Sequence, residues 1–181
     1  MSNNAEIARS SLWKDGKFVA DDWVLLEAGE SPVRNEKAFL TFADALTLLR
    51  VGTSLPSSLG VIVGANDDVD DLANYLDRIE ALAIDFPGFG DGRGFSSARL
   101  LRERLGFTGE IRAIGKYILD QMPLLVRCGV SSFLVTSEKV KAGLTRGEWP
   151  EVATYYQPVA GDGDLPDGQL RPWLRHKAKV G

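Results

Sequence analysis

Cysteine and histidine are almost missing. Cys128 is the only cysteine and His176 the only histidine in the 181 residues. A single cysteine forbids an intrachain disulfide, a C-x-x-C pair and a cysteine-ligated cluster. A single histidine, placed in the terminal stretch, leaves neither a Ser-His-Asp triad nor a zinc site of the usual His/Cys type. If the protein handles electrons, they must sit on an organic cofactor or on a partner, and no residue pattern says which cofactor. A basic excess is also lacking: 21 Lys and Arg stand against 25 Asp and Glu, for a net charge of −4 and a pI of about 5.1. That argues against a general nucleic-acid binder, whose footprint is a basic surface. No apolar run reaches the length of a membrane span, and the opening MSNNAEIARSS has no signal-peptide apolar core. The default expectation is a cytoplasmic protein that does not meet a membrane.

What is present is an ordinary globular composition, 44% hydrophobic and 25% charged. The length suits one domain with a real core. Within it, residues 1–59 read as an N-terminal hairpin and helix, 60–145 as a βα core and 146–181 as a C-terminal extension. Leu12 to Val19 carries Asp15-Gly16 between apolar pairs, the signature of a two-residue type I′ hairpin. Trp23 to Leu26 suits another short strand, and Ala28 to Lys37 a polar connection. Thr41 is placed to cap a helix over 42–50 with Phe42, Ala45, Leu46 and Leu49 on one face.

From Gly60 the pattern becomes regular. Strands are expected at 60–65, 81–86, 110–115 and 132–136. Helices are expected at 67–79, 97–105, up to Cys128 and at 138–144. In the third helix Pro123 fits only a first turn, with Asp120 as a candidate N-cap. Alternation with short links predicts an α/β fold with a mainly parallel sheet. A half-barrel, TIM-like sheet is favoured over an open doubly wound one. Half a barrel has two bare edges, which the N-terminal hairpin or the second subunit of a homodimer could cover.

The densest chemistry lies between Ala81 and Gly106. A short apolar strand enters a loop holding Gly88, Gly90, Gly92 and Gly94, and an amphipathic helix follows. The loop is neither a G-x-G-x-x-G fingerprint nor a P-loop. Free backbone N–H groups, a helix N-terminus capped by Ser96 or Ser97, and Arg93 suit a small anion. The plainer alternative is a tight turn with a structural Asp–Arg pair. Strand alternation puts Asp85 on one face of its strand and Arg112 on one face of the next, so the two could approach. The loops beyond add Asp91, Arg93, Lys116, Asp120 and Gln121. Arg93 and Lys116 make the mouth locally positive unless Asp91 neutralises Arg93. The candidate catalytic residues are therefore Asp85, Asp91, Arg112 and Asp120. The candidate ligand-binding residues are Asp91, Gly92, Arg93, Gly94, Ser96, Arg112, Lys116 and Gln121, and no metal site is expected. Arg99, Arg102 and Arg104 read as a solvated helix face, and Cys128 as a small buried hydrophobe.

The run FPGFGDGRGFSSARLLRERLGFTGEIRAIGKYILDQMPLLVRCGVSSF resembles one bacterial family. That family's pattern reads F-P-x-F-x-D-G-R-G-[FY]-S-x-A-x-L-L-R-x-R, then G-E-[IL]-R-A-x-G, D-Q and R-C-G-[FV]. The sequence carries each element between Phe86 and Val130, departing at Pro123. The family is a domain-of-unknown-function group often labelled a predicted oxidoreductase involved in sulfite reduction. The resemblance implies an accessory protein or small enzyme of assimilatory sulfate and sulfite reduction, with sulfite reductase or another sulfur-assimilation enzyme as partner. It points to Asp91, Gly92, Arg93, Gly94 and Ser96 as the working part of the loop. Two alternatives stand beside it. One is a non-catalytic assembly or carrier subunit that binds sulfite reductase. The other is a βα-barrel enzyme acting on a small phosphorylated metabolite.

Overall fold

The structure is a computed structural model. It describes residues 11–32, 36–52 and 56–150, and the backbone of two short paired strands, Thr154–Tyr155 and Arg175–His176. The expectations for the first ten residues, the loop at 161–168 and the tail around Trp173 fall outside the described residues.

The hairpin forms as expected. Strands β1 (Ser11–Lys14) and β2 (Lys17–Val19) pair antiparallel across Asp15 and Gly16, whose φ angles of 51° and 76° are the left-handed pair a type I′ turn needs. Then come β3 (Trp23–Leu25), β4 (Lys37–Thr41), α1 (Phe42–Val51) and β5 (Ser58–Val63). A 3-10 helix spans Val69–Arg78 and leads to β6 (Ala81–Phe86). Helix α2 (Arg93–Arg99) runs on into a π-helical stretch, Leu100–Arg104, before β7 (Glu110–Gly115). A 3-10 turn at Leu119–Gln121 enters α3 (Met122–Arg127), and β8 (Ser132–Val135) and α4 (Glu138–Thr145) follow.

Strands β1 to β8 form one curled half-barrel sheet, in the order β2-β1-β8-β7-β6-β5-β4-β3. Strands β3 to β8 run parallel and sit in sequence order, and β1 pairs antiparallel with β8. Because the order never reverses, there is no switch point of the doubly wound kind. The hairpin covers the β8 edge, one of the two ways an edge could be closed. The outer strands β2 and β3 are joined by residues 20–22 alone. A chain that short reaches at most ~14 Å, so the two ends of the sheet are drawn together across the barrel gap.

Several elements differ from expectation. Lys37–Thr41 is a strand, with Ala38, Phe39 and Leu40 buried. Its apolar run leads straight into α1, so no turn residue separates the two periods. Helix α2 begins at Arg93 rather than Ser97, with Gly92 at the N-cap position and no side-chain cap, so neither Ser96 nor Ser97 caps it. Asp120 caps no α-helix: α3 starts at Met122 with Pro123 in its first turn, where the missing N–H costs nothing. Arg102 is half-buried, not solvated. It donates from Nε to the Gly129 carbonyl (2.9 Å) and from Nη1 to those of Phe107 (2.6 Å) and Gly109 (2.7 Å).

The core has two faces. Outside the sheet the helices bury Leu46, Leu49, Leu72, Leu101, Met122 and Leu125 against Val61, Leu82, Ile84, Ile111 and Phe133. Inside the curl lie Phe39, Ala81, Ala83, Ile114 and Leu134, flanked by Trp23, Leu25 and Ile62. Residues two apart share a face, so each parallel strand sends one row inward and one outward. This inner row carries the polar groups that define the two ends of the half-barrel.

Candidate active site at the strand carboxyl ends

Strand register decides which of the candidate residues meet. Ala83 lies opposite Arg112 and Asp85 opposite Ile114, so Asp85 and Arg112 share the inner face on neighbouring strands. They do not pair. Arg112 is fully buried and turns toward the amino ends of the strands. Its Nε donates to Glu110 Oε1 (3.0 Å) and its Nη1 to Asp21 Oδ2 (2.8 Å). Its Nη2 lies 2.9 Å from Glu110 Oε1, close enough for charge attraction but not aligned as a hydrogen bond. The guanidinium sits 5.0 Å from the Phe39 ring centre. Glu110 also accepts from Lys14 Nζ (2.8 Å) and Ser132 Oγ (2.7 Å). Burial pushes the Glu110 carboxyl up, and the bonds from Lys14 and Ser132 with the Arg112 charge outweigh it, leaving the group below its ordinary value. Two cations and two anions thus close the amino-terminal end, the face of a βα-barrel that serves stability.

The carboxyl-terminal end is open. A cleft of about 560 Å³ lies there. Its walls are Leu25, Ile62, Ile114 and Leu134, and its polar groups include Asp85, Lys116, Thr41, Thr136 and, at the exposed rim, Glu27. Thr41 is already engaged, donating to Asp44 Oδ2 (2.7 Å). Asp85 is not. Among the described residues its carboxylate has neither a hydrogen bond nor an ion pair, although Asp44, Asp67, Asp91 and Glu110 all have partners. Burial raises its pKa, and the nearby charge of Lys116 pulls partly the other way. Lys116 is exposed, and among the described residues its ammonium has no hydrogen bond or ion pair either. Its backbone N–H donates to the Phe86 carbonyl (2.6 Å), which anchors the residue at the strand end. Between the two charges sits Gly115, at φ 90°. A Cβ there would stand 2.5 Å from Asp85 Oδ1, so only glycine leaves room for the carboxylate.

The glycine-rich loop lies apart from this cleft's lining. Arg93 grips Asp91 with Nε on Oδ1 (2.9 Å) and Nη2 on Oδ2 (2.5 Å), and its Nη1 donates to Asn66 Oδ1 (2.6 Å). Bonds from the Arg93 side chain and backbone hold the Asp91 carboxyl at about 2. This is the neutralised arrangement, so the mouth's unmatched positive charge is Lys116 and not Arg93. Gly92 is exposed, and Gly94 is buried where a Cβ would come within 2.6 Å of the Phe86 ring. Ser96 and Asp120 are exposed. Gln121 ties two loops together: its Nε2 donates to the Phe89 carbonyl (3.3 Å) and its Oε1 accepts from the Ile118 N–H (3.1 Å).

Residues 60–165 match the family model described as "Bacterial protein of unknown function (DUF934)". The chain belongs to the DUF934 family. No curated protein and no solved structure matches it. The DUF934 match takes in most of β5 and all of β6 to β8, and with them Asp85, Arg112 and Lys116. It leaves out β3 and β4, which supply Leu25 and Thr41 to the other wall of the cleft, and the connection after β3 that brings Glu27. That wall was missing from the residue reading, because its strands come from segments with no motif of their own. Among the described residues no helix is long and apolar enough to cross a membrane, and no cluster of three or more His, Cys, Asp or Glu could hold a metal ion.

Proposed function

We propose that this DUF934 protein binds a small metabolite through an anionic group, in the cleft where Lys116 stands at the carboxyl ends of the parallel strands. We propose further that it serves assimilatory sulfite reduction, as an accessory protein or small enzyme. The observation that carries the binding site is the pair of unpartnered charges, Asp85 and Lys116, over an apolar floor. Folding gains nothing from an unpaired charge at a half-buried position, and such groups cluster where ligands bind. Carboxyl ends of parallel strands are also where α/β folds gather their sites. The pathway rests on the run from Phe86 to Val130 and its resemblance.

Two experiments test the reading. A thermal-shift screen with sulfite, sulfate, adenylyl sulfate and sugar phosphates should find a stabilising anion, and Lys116→Met should abolish its effect. Stabilisation that survives Lys116→Met removes Lys116 from the site. Deleting the gene should impair growth on sulfate and spare growth on cysteine. Unimpaired growth on sulfate rules the pathway out.

A further inference from the structure

The cleft holds charges of both signs. Asp85 and Glu27 bring two carboxylates, and Lys116 brings an ammonium. A bare anion would meet Lys116 with Asp85 and Glu27 repelling it. A bare cation would meet the reverse. The walls between are apolar: Leu25, Ile62, Ile114 and Leu134. Gly115 opens the space beside Asp85 and leaves the carboxylate free to meet a guest. Neither the Asp85 nor the Lys116 charge has a side-chain hydrogen bond or an ion pair among the described residues. The complement to this arrangement carries an ammonium, a carboxylate and a short apolar side chain.

We propose that the cleft binds a zwitterionic α-amino acid, its ammonium on Asp85, its carboxylate on Lys116 and its apolar side chain against Ile62, Ile114 and Leu134. The proposal rests on the reading of this cleft as a ligand site and names the ligand class. Each end of such a ligand makes a charge-assisted hydrogen bond, the Asp85 end at a half-buried position and the Lys116 end at the exposed mouth. Losing one is worth about ten- to a hundredfold in affinity.

Three probes with one apolar body separate the possibilities: L-valine, 3-methylbutanoate, which lacks the ammonium, and isobutylamine, which lacks the carboxylate. Titration calorimetry on the full chain should show valine binding at least about tenfold tighter than either half-ligand. Asp85→Asn and Lys116→Met should each weaken valine by about ten- to a hundredfold. The deciding arm is Asp85→Asn with 3-methylbutanoate, where removing a repelling carboxylate should leave affinity unchanged or tighten it. The two substitutions sit at the open mouth, and circular dichroism confirms that each variant is folded. If 3-methylbutanoate binds as tightly as valine, and Asp85→Asn tightens both, the zwitterion is overturned and the anion site stands. If none of the three binds while sulfite or a phosphate does, the zwitterion is again overturned and the coarser reading survives. If no anionic compound binds, both fall.

Discussion

Replacing Arg112 by methionine should cost a large part of the protein's stability. The guanidinium is wholly inaccessible and touches Glu110, Asp21 and the Phe39 ring. Methionine roughly keeps the volume, so the loss is chiefly electrostatic. Removing one partner of a buried pair costs about 3–5 kcal/mol, because the other is left with uncompensated charge. Two features pull the figure toward the lower end. Glu110 keeps Lys14 and Ser132, and the Asp21 side chain is 19% exposed and can turn to water. About 3 kcal/mol is therefore expected, a serious fraction of the 5–15 kcal/mol typical of a domain. In a chain of this length that lowers Tm by about 6–12 °C. Urea denaturation followed by far-ultraviolet circular dichroism measures it. The double change Glu110→Gln with Arg112→Met should cost less than the sum of the two single changes, since it removes both the charge and its orphaned partner. A loss below about 1 kcal/mol for Arg112→Met, or strict additivity in the double variant, would refute the picture of a coupled ionic plug.

Asp85→Asn should stabilise the protein at neutral pH. Burial raises the Asp85 pKa, so its contribution to stability is full below the ordinary value of 3.8 and is lost as pH rises through the raised value. The gain over wild type should therefore disappear in acid, and a neutral-pH Tm below wild type would contradict it. Glu110 has the opposite sign. Its pKa is lowered, so its contribution is present above the ordinary 4.5 and is lost as pH falls through the lowered value; Glu110→Gln should cost most at neutral pH and least in acid. Arg102→Lys should lose about 1.5–3 kcal/mol in chemical denaturation, because an ammonium on a flexible stem cannot bridge three carbonyls from two loops. Tyr117→Phe should be neutral or stabilising, since the buried phenol has no hydrogen-bond partner among the described residues; a loss above about 1.5 kcal/mol would reveal one.

Local patterning carried much of this fold. The bounds of β6 and β7, the Asp15-Gly16 turn and the buried face of α1 follow from short-range rules: two-residue alternation, turn chemistry and helical spacing. The mainly parallel sheet followed from the βα alternation, which favoured a half-barrel without excluding an open sheet; strand order settles it as the half-barrel. What failed was long-range or hidden by neighbours. Strand β4 ran into α1 without punctuation. Asp21 meets Arg112 across 91 positions, and Lys14 meets Glu110 across 96, separations that no local pattern encodes. Alternation puts Asp85 and Arg112 on one face but carries no information on which end of the barrel the long Arg112 side chain turns to. The loop at Asp91–Arg93 is conspicuous in the sequence because of its motif. Its charges satisfy one another, and the unmatched pair, Asp85 and Lys116, sits on the plainer strand ends beside it.

The location of the site can be read directly by chemical-shift mapping on isotope-labelled protein, with sulfite and L-valine as probes. Binding in the cleft predicts concentration-dependent shifts at Gly115 and Lys116 amides and at the Ile62, Ile114 and Leu134 methyls, with those of Arg93 and Asn66 nearly still. Shifts confined to the Asp91–Arg93 loop, or to the separate groove lined by Trp13 and Trp149, would contradict the account and move the site elsewhere.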